Sequence, residues 1–251
     1  MYSDLKNKII ILTGGSGFLG QQIVKAFTST KSKIIILDIK KPKNNRADYY
    51  KCNITKEEEV ITISKRILKK YKQIDVLINN AASDYIPNKK NNKLTLEDLN
   101  FDIWKNDLNV GLDGAFICTK IFGSIMASKK KGVILNVSSD LGIIAPNQDI
   151  YKSLNFIKPV TYSVVKHGIN GLTKYTAAYW SEKNVRCNAI APGGIFNNQD
   201  KSFLKKIKKL IPLKRLAKKN EYNDLILFLC SDSSSYMTGS VVIADGGRTI
   251  I

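Results

Sequence analysis

Short runs of apolar, mostly β-branched residues recur along this chain: KIIILT (8–13), KIIILD (33–38), DVLIN (75–79), GVILNVS (132–138), VRCNAIA (185–191) and SVVIAD (240–245). A run that is apolar at successive rather than alternate positions reads as a strand buried on both faces. Between the runs, apolar residues fall at helical spacing, as Val60, Ile63, Ile67 and Leu68 do in 56–71 and Leu225, Leu227, Phe228 and Leu229 do in 221–230. Strand and helix in strict turn predict an α/β fold: a doubly wound parallel sheet with helices on both faces, joined by right-handed crossovers. With 251 residues and no internal repeat, low-complexity linker or break in composition, the chain is expected to form a single domain (1–251). The polar NKKNN at 88–92 is expected to be a surface loop.

In such a sheet a ligand binds at the carboxyl ends of the strands, where the strand order reverses. The first run leads directly into GGSGFLG (14–20), and a helical pattern follows from Leu19. Glycines there permit a tight turn and let backbone N–H groups approach a pyrophosphate, whose charge is favoured at the positive end of the helix. Gly14, Ser16, Gly17, Phe18 and Leu19 are therefore candidate cofactor-binding residues. Asp38 ends the second run, 18 residues beyond Gly20, where a carboxylate can accept hydrogen bonds from ribose hydroxyls. It would repel a 2′-phosphate, which favours NAD over NADP, although Lys40 and Lys41 partly offset that repulsion.

Other classes are disfavoured. The N-terminal apolar run is only a few residues long and gives way at once to glycines, unlike a signal peptide or membrane span, so a cytoplasmic protein is expected. Cys52, Cys118, Cys187 and Cys230 form no CxxC pair and His167 is the only histidine, which argues for reduced, buried thiols and no metal site. The formal net charge of +19 raises a nucleic-acid partner. The excess is overwhelmingly lysine, accompanied by abundant asparagine and isoleucine, a bias that AT-rich coding produces without selection for a partner. No specific nucleic acid or membrane partner is expected.

The segment TYSVVKHGINGLTKYTAAYW (161–180) has a helical pattern, which sets Tyr162 and Lys166 one turn apart on the same face. An ammonium group held near a phenol favours the phenolate, so such a tyrosine can exchange a proton with an alcohol near neutral pH. Taken with the glycine turn, Asp38, NNAA (79–82), NVSS (136–139), YSVVK (162–166), APGGI (191–195) and MTGSVVIADGG (237–247), the chain resembles the short-chain dehydrogenase/reductase family over nearly its whole length. The resemblance implies an NAD(P)-binding Rossmann fold with Tyr162 as catalytic acid/base. Lys166 would bind the nicotinamide ribose and lower the tyrosine pKa, and Ser139 would hydrogen-bond the substrate oxygen. It further implies that Asn53 and Ile54 lie near the adenine, that Asn80, Ala81 and Ala82 line the cofactor, and that Pro192, Gly193 and Ile195 contact its nicotinamide end. A homo-oligomer, dimer or tetramer, built on the final strand and the helix before it is implied as well.

The chain departs from the family pattern at four places. The glycine turn is spaced TGxxGxxG, as in longer members that act on nucleotide sugars; Gly111 stands where many members carry an active-site asparagine; and Asn197 stands where threonine is frequent. Lastly, Ser139 and Tyr162 are 23 positions apart, a wider gap than in most members. An insertion at about 143–160 is therefore expected beside the catalytic residues, with Asn147, Gln148 and Tyr151 offering hydrogen-bonding groups to a polar substrate; the alternative is a surface loop that packs on a neighbouring subunit. The insertion resembles that of oxidoreductases from flagellin-modification and nonulosonic (legionaminic) acid sugar pathways. A substrate lid is expected at about 194–219. It holds nine basic and no acidic residues in 201–219, yet Phe203, Leu204, Ile207 and Leu210 give SFLKKIKKLI an amphipathic pattern whose lysines face water.

The favoured expectation is an NAD-dependent oxidoreductase that interconverts an alcohol and a ketone on a sugar, sugar phosphate or nucleotide sugar. A reductase of 3-oxoacyl thioesters or small ketones is the alternative within enzymes, and a non-catalytic dinucleotide-binding sensor is the alternative outside them.

Overall fold

The computed structural model describes residues 2–43, 47–83 and 94–251; the loop expected at 88–92 lies outside them. The strands are β1 (Ile9–Thr13), β2 (Lys33–Asp38), β3 (Asp48–Lys51), β4 (Val76–Asn79), β5 (Gly132–Val137), β6 (Val185–Pro192) and β7 (Val241–Ala244). All pair in parallel, in the order β3-β2-β1-β4-β5-β6-β7. The chain winds outward in one direction from β1 and in the other from β4, so the carboxyl ends of these two neighbours form the switch point of the sheet. The expected doubly wound sheet is found, with one more strand than the apolar runs indicate. DYYK (48–51) forms an edge strand that is only half-buried, so its sequence lacks the continuous apolar run of an inner strand.

The helices are α1 (Phe18–Thr28), α2 (Glu57–Tyr71), α3 (Phe101–Ser128), α4 (Val160–Trp180), α5 (Lys201–Ile207) and α6 (Asn223–Cys230). In α2 three glutamates in the first turn and two lysines in the last complement the helix dipole. Successive strand side chains point to opposite faces and so divide between two cores. Ile10, Leu12, Ile34 and Ile36 meet Ile23 and Phe27 of α1 and Ile226 of α6 on one face. Ile9, Ile11, Ile35 and Leu37 meet Ile63 and Ile67 of α2 and Phe122 of α3 on the other. By length and composition alone α3 could cross a membrane, but Cys118, Phe122 and Met126 on its inner face are fully buried against the sheet.

A buried polar ladder ties the middle of the sheet to two helices. Asn79 Nδ2 at the end of β4 donates to Thr119 Oγ1 of α3 at 3.0 Å and to Asn136 Oδ1 of β5 at 2.8 Å. Asn136 Nδ2 in turn donates to Thr173 Oγ1 of α4 at 2.8 Å. Since an unpaired amide here would be costly, the ladder fixes how α4 sits on β5.

Candidate active site

The switch point is built first from the glycine turn. Gly14 has φ +66°, and a Cβ there would lie 2.8 Å from Ala81 Cα, so the turn closes directly on the segment after β4. Asn80 fastens that approach: its Nδ2 donates to the carbonyls of Thr13 and Gly14, both at 3.0 Å, while the N–H groups of Asn80 and Ala81 donate to Thr13 Oγ1. Gly17 is the N-cap of α1 and supplies no side-chain cap, which leaves first-turn N–H groups of the helix without an internal partner. That terminus fits the phosphates of a dinucleotide. Asp38, at the end of β2, accepts from the N–H of Ser16 at 2.9 Å and from that of Lys40 at 2.9 Å, which holds its carboxylate against the turn. Asn53 forms a local turn: its Oδ1 accepts from the N–H and hydroxyl of Thr55, its own N–H donates to Glu59 Oε2 and its carbonyl accepts from the N–H of Lys56, while the Ile54 side chain is buried in the core.

The reactive side chains lie around the end of β5. Tyr162 and Lys166 are in the first turns of α4, as their spacing requires, and Lys166 Nζ is 5.7 Å from the centre of the Tyr162 ring. Lys166 is buried and donates to the carbonyl of Val137 at 2.8 Å, two residues before Ser139. The short 3₁₀ turn Asp140–Gly142 that follows Ser139 packs along α4. A small cavity opens beside the pair, lined among others by Ala82, Asp107, Gly111, Tyr162 and Lys166. A phenol beside an ammonium in such a cavity can exchange a proton with a bound alcohol or carbonyl.

Gly111 has a steric explanation. It lies in a π-turn of α3 (Asn109–Asp113), and a Cβ there would come within 2.6 Å of Val165 Cγ1 on α4, so the Val165 side chain occupies the space that a side chain at 111 would need. Two groups that sequence reasoning missed stand nearby. Asp107 is buried and accepts from Thr161 Oγ1 at 2.6 Å. Lys158 Nζ lies 3.8 Å from the centre of the Tyr162 ring, at cation–π distance.

The insertion corrects the expectation for its polar residues. Tyr151 does not stand on an open pocket wall: its ring is 8% exposed and packs with Ile150, Phe156, Phe203, Ile207 and Leu216 in a small separate core. The physical reason is the apolar face of α5, which needs cover; Tyr151 provides it, its ring centre 5.4 Å from that of Phe203 on the helix. Asn147 Oδ1 accepts from the N–H of Asp149, and Gln148 grips Lys158 from both sides, donating to its carbonyl at 2.9 Å and accepting from its N–H at 3.0 Å. Both amides therefore shape the insertion, and Gln148 sets the position of Lys158. The insertion and the segment expected to be a lid form one layer, joined further by Lys206 Nζ to the Asp149 carbonyl and Ser202 Oγ to Ser153 Oγ.

Within the lid, Ile195 pairs with Ala217, and the N–H of Phe196 donates to the Ala217 carbonyl at 2.8 Å. This bridge anchors the stretch after Pro192 and Gly193. Asn197 is engaged through its N–H, which donates to Gln199 Oε1. Lys205 and Lys209 face water, as the amphipathic pattern requires. Lys208, Arg215, Lys218 and Lys219 are exposed as well, and with Phe196 and Leu216 they surround a cavity of about 380 Å³. Lys219 Nζ also lies 5.6 Å from the ring centre of Phe18, the first residue of α1, so the basic cavity adjoins the glycine turn.

Comparison with known proteins gives a consistent result. A model of the family described as enoyl-(acyl carrier protein) reductase matches residues 17–249. The chain is 30% identical to the 3-oxoacyl-[acyl-carrier-protein] reductase FabG of Thermotoga maritima over 98% of its length and 99% of the relative. It is 29% identical to the post-translational flagellin modification protein A of Campylobacter coli, covering 97% of this chain and 98% of that one. Among solved structures, a short chain dehydrogenase from Leptospira borgpetersenii with bound NAD+ superposes with a TM-score of 0.86 at 31% identity, covering 99% and 96% of the two chains.

Proposed function

The chain belongs to the short-chain dehydrogenase/reductase family of NAD(P)-dependent oxidoreductases, and on that premise we propose that it interconverts an alcohol and a ketone with NAD, on a sugar, sugar phosphate or nucleotide sugar of surface-glycan biosynthesis. The observation that carries the chemistry is the placement of Tyr162 and Lys166 on one face of α4, with Lys166 bonded to the strand end that bears Ser139. When bound, NAD supplies the hydride acceptor, or in its reduced form the donor. The rest falls to the chain. Tyr162 takes the proton from the substrate alcohol or returns it to the carbonyl oxygen, and Lys166 favours the phenolate state and binds the nicotinamide ribose. Ser139 hydrogen-bonds the substrate oxygen. Gly14, Ser16, Gly17, Phe18 and Leu19 hold the phosphates at the start of α1. Asp38 accepts from the adenosine ribose and repels a 2′-phosphate, while Asn80, Ala81, Ala82, Pro192, Gly193 and Ile195 line the remainder of the cleft.

The substrate class is supported by the basic cavity in the lid, whose lysines complement a phosphate or diphosphate, and by the resemblance to a flagellin modification protein. Similarity to a 3-oxoacyl-[acyl-carrier-protein] reductase supports the second reading, reduction of an acyl thioester. An assembly of identical subunits is part of the proposal. The edge strand β7 is incompletely buried, and Tyr236, Ile243 and Ile250 nearby are exposed.

Isothermal titration with NADH and NADPH, on the wild type and on Asp38→Ala, tests the cofactor. NADH is expected to bind more tightly than NADPH and to weaken in the variant; failure of both nucleotides to bind would remove the enzyme reading. Turnover screening then separates the substrates: activity with sugar phosphates or nucleotide sugars supports the proposal, and activity with acetoacetyl thioesters alone replaces it by the second reading.

A further inference from the structure

The serine assigned above to the substrate oxygen rests against a buried charge. Ser139 Oγ donates to Asp140 Oδ1 at 2.8 Å and accepts from the N–H of Leu141 at 3.1 Å. The other carboxylate oxygen, Asp140 Oδ2, accepts from Arg248 Nη1 at 2.7 Å. Arg248 and Asp140 side chains are only 5% and 4% exposed, more deeply buried than any other ion pair among the described residues. Arg248 arrives from the last turn of the chain. That turn is fastened by Asp245, whose carboxylate accepts from the N–H of Gly247 at 2.8 Å and of Thr249 at 2.7 Å.

Stability alone gives a poor account of this pair. Arg248 Nε and Nη2 are buried and have no hydrogen-bond partner among the described residues, and idle buried donors are destabilising. A buried ion pair also seldom stabilises a fold more than an apolar pair of the same shape would. What the pair does control is the serine. A hydroxyl has one proton to donate. While that proton lies on Asp140 it is withheld from a substrate oxygen, and the strength of the hold grows with the uncompensated charge of the carboxylate. Arg248 is the group that compensates it.

We propose that Arg248 is a positioning residue for Ser139, acting through Asp140. By neutralising the carboxylate it lets the serine turn its hydroxyl proton from Asp140 to the substrate oxygen, which makes the C-terminal turn a working part of the active site. No bond other than a hydrogen bond changes, and the serine keeps its proton throughout. The inference rests on the reading of Ser139 as the group that meets the substrate oxygen.

Two measurements test it. Neutron diffraction from wild-type crystals soaked in D₂O should place the Ser139 deuteron on the line to Asp140 Oδ1 in the absence of substrate; a deuteron directed into the pocket overturns the proposal without needing a substrate. In kinetics with the substrate that the wild type turns over, Arg248→Met should lower kcat/KM at least about tenfold while the NADH dissociation constant stays within about twofold. Adding Asp140→Asn to Arg248→Met removes the uncompensated charge and should restore most of the loss. Unchanged turnover in Arg248→Met, or a double variant that recovers thermal stability but not turnover, would overturn it. Should Arg248→Met not fold, Arg248→Lys serves instead: a retained positive charge should keep more turnover than Arg248→Gln. Absence of turnover in the wild type would instead count against the oxidoreductase reading, and the deuteron position would still decide the hydrogen-bond state.

Discussion

Tyr162 and Lys166, on which the proposed proton transfer rests, lie one turn apart in α4. Tyr162 and Lys166 could be assigned to one helix face because a helix brings i and i+4 together whatever surrounds it. Tyr162→Phe deletes only the hydroxyl proposed to exchange the proton, so turnover should fall by about 10²- to 10⁴-fold, while calorimetric NADH binding persists; turnover near the wild-type rate would remove Tyr162 from its proposed role. Asp140 and Arg248 were not legible, since they are 108 positions apart and nothing in either neighbourhood marks a partner. Tyr151 was misread for a related reason. Its hydroxyl suggested a polar pocket, but its ring met the apolar face of a helix far along the chain, and burial of that ring decided its place.

Elements position those residues, and two of the contacts between elements make separate predictions. Thr173→Val keeps the volume of the side chain but takes away the acceptor for Asn136 Nδ2, both residues being fully buried. The expected cost is about 1–3 kcal/mol in urea unfolding, together with a lower kcat as α4 loses its fixed seat on β5. A stability change near zero would show that the ladder is replaceable. Phe203→Ala opens the small core shared by insertion and lid and should cost about 3 kcal/mol, if that layer unfolds with the rest of the domain. Because the layer carries Gln148, which holds Lys158 beside Tyr162, KM for substrate should rise more than the NADH dissociation constant. Inner strands were readable as elements because burial on both faces demands apolar residues at every position. The edge strand β3 escaped notice because half of its surface meets solvent, and pairing with β2 rather than sequence makes it a strand.

At the scale of the whole molecule, the close packing of two cores on one sheet shows in the thiols. Burial pushes the pKa of Cys52, Cys187 and Cys230 up to about 12, and that of Cys118 up as well. A group whose pKa is higher folded than unfolded favours the folded state below its unfolded pKa and loses that contribution as pH rises toward the folded value. Each buried thiol should therefore cost stability as the pH rises above the pKa of a free thiol. The melting temperature should fall over that range, and the slope should lessen in Cys187→Ala; a slope unaffected by the thiols would contradict their burial. What the sequence determined by itself was the alternation of strand and helix, the glycine turn before α1, the acid at the end of β2 and the Tyr–Lys pair, all set by periodicity or by neighbours within a few residues. The tertiary structure alone decided which side chain in the insertion would be core, which side chain would fill the space beside Gly111, and which buried charge would come to pair with Asp140. Those outcomes depend on contacts between segments distant in the chain, and the competition for buried space and hydrogen-bond partners that selects them is settled only when the sheet and its helices close together.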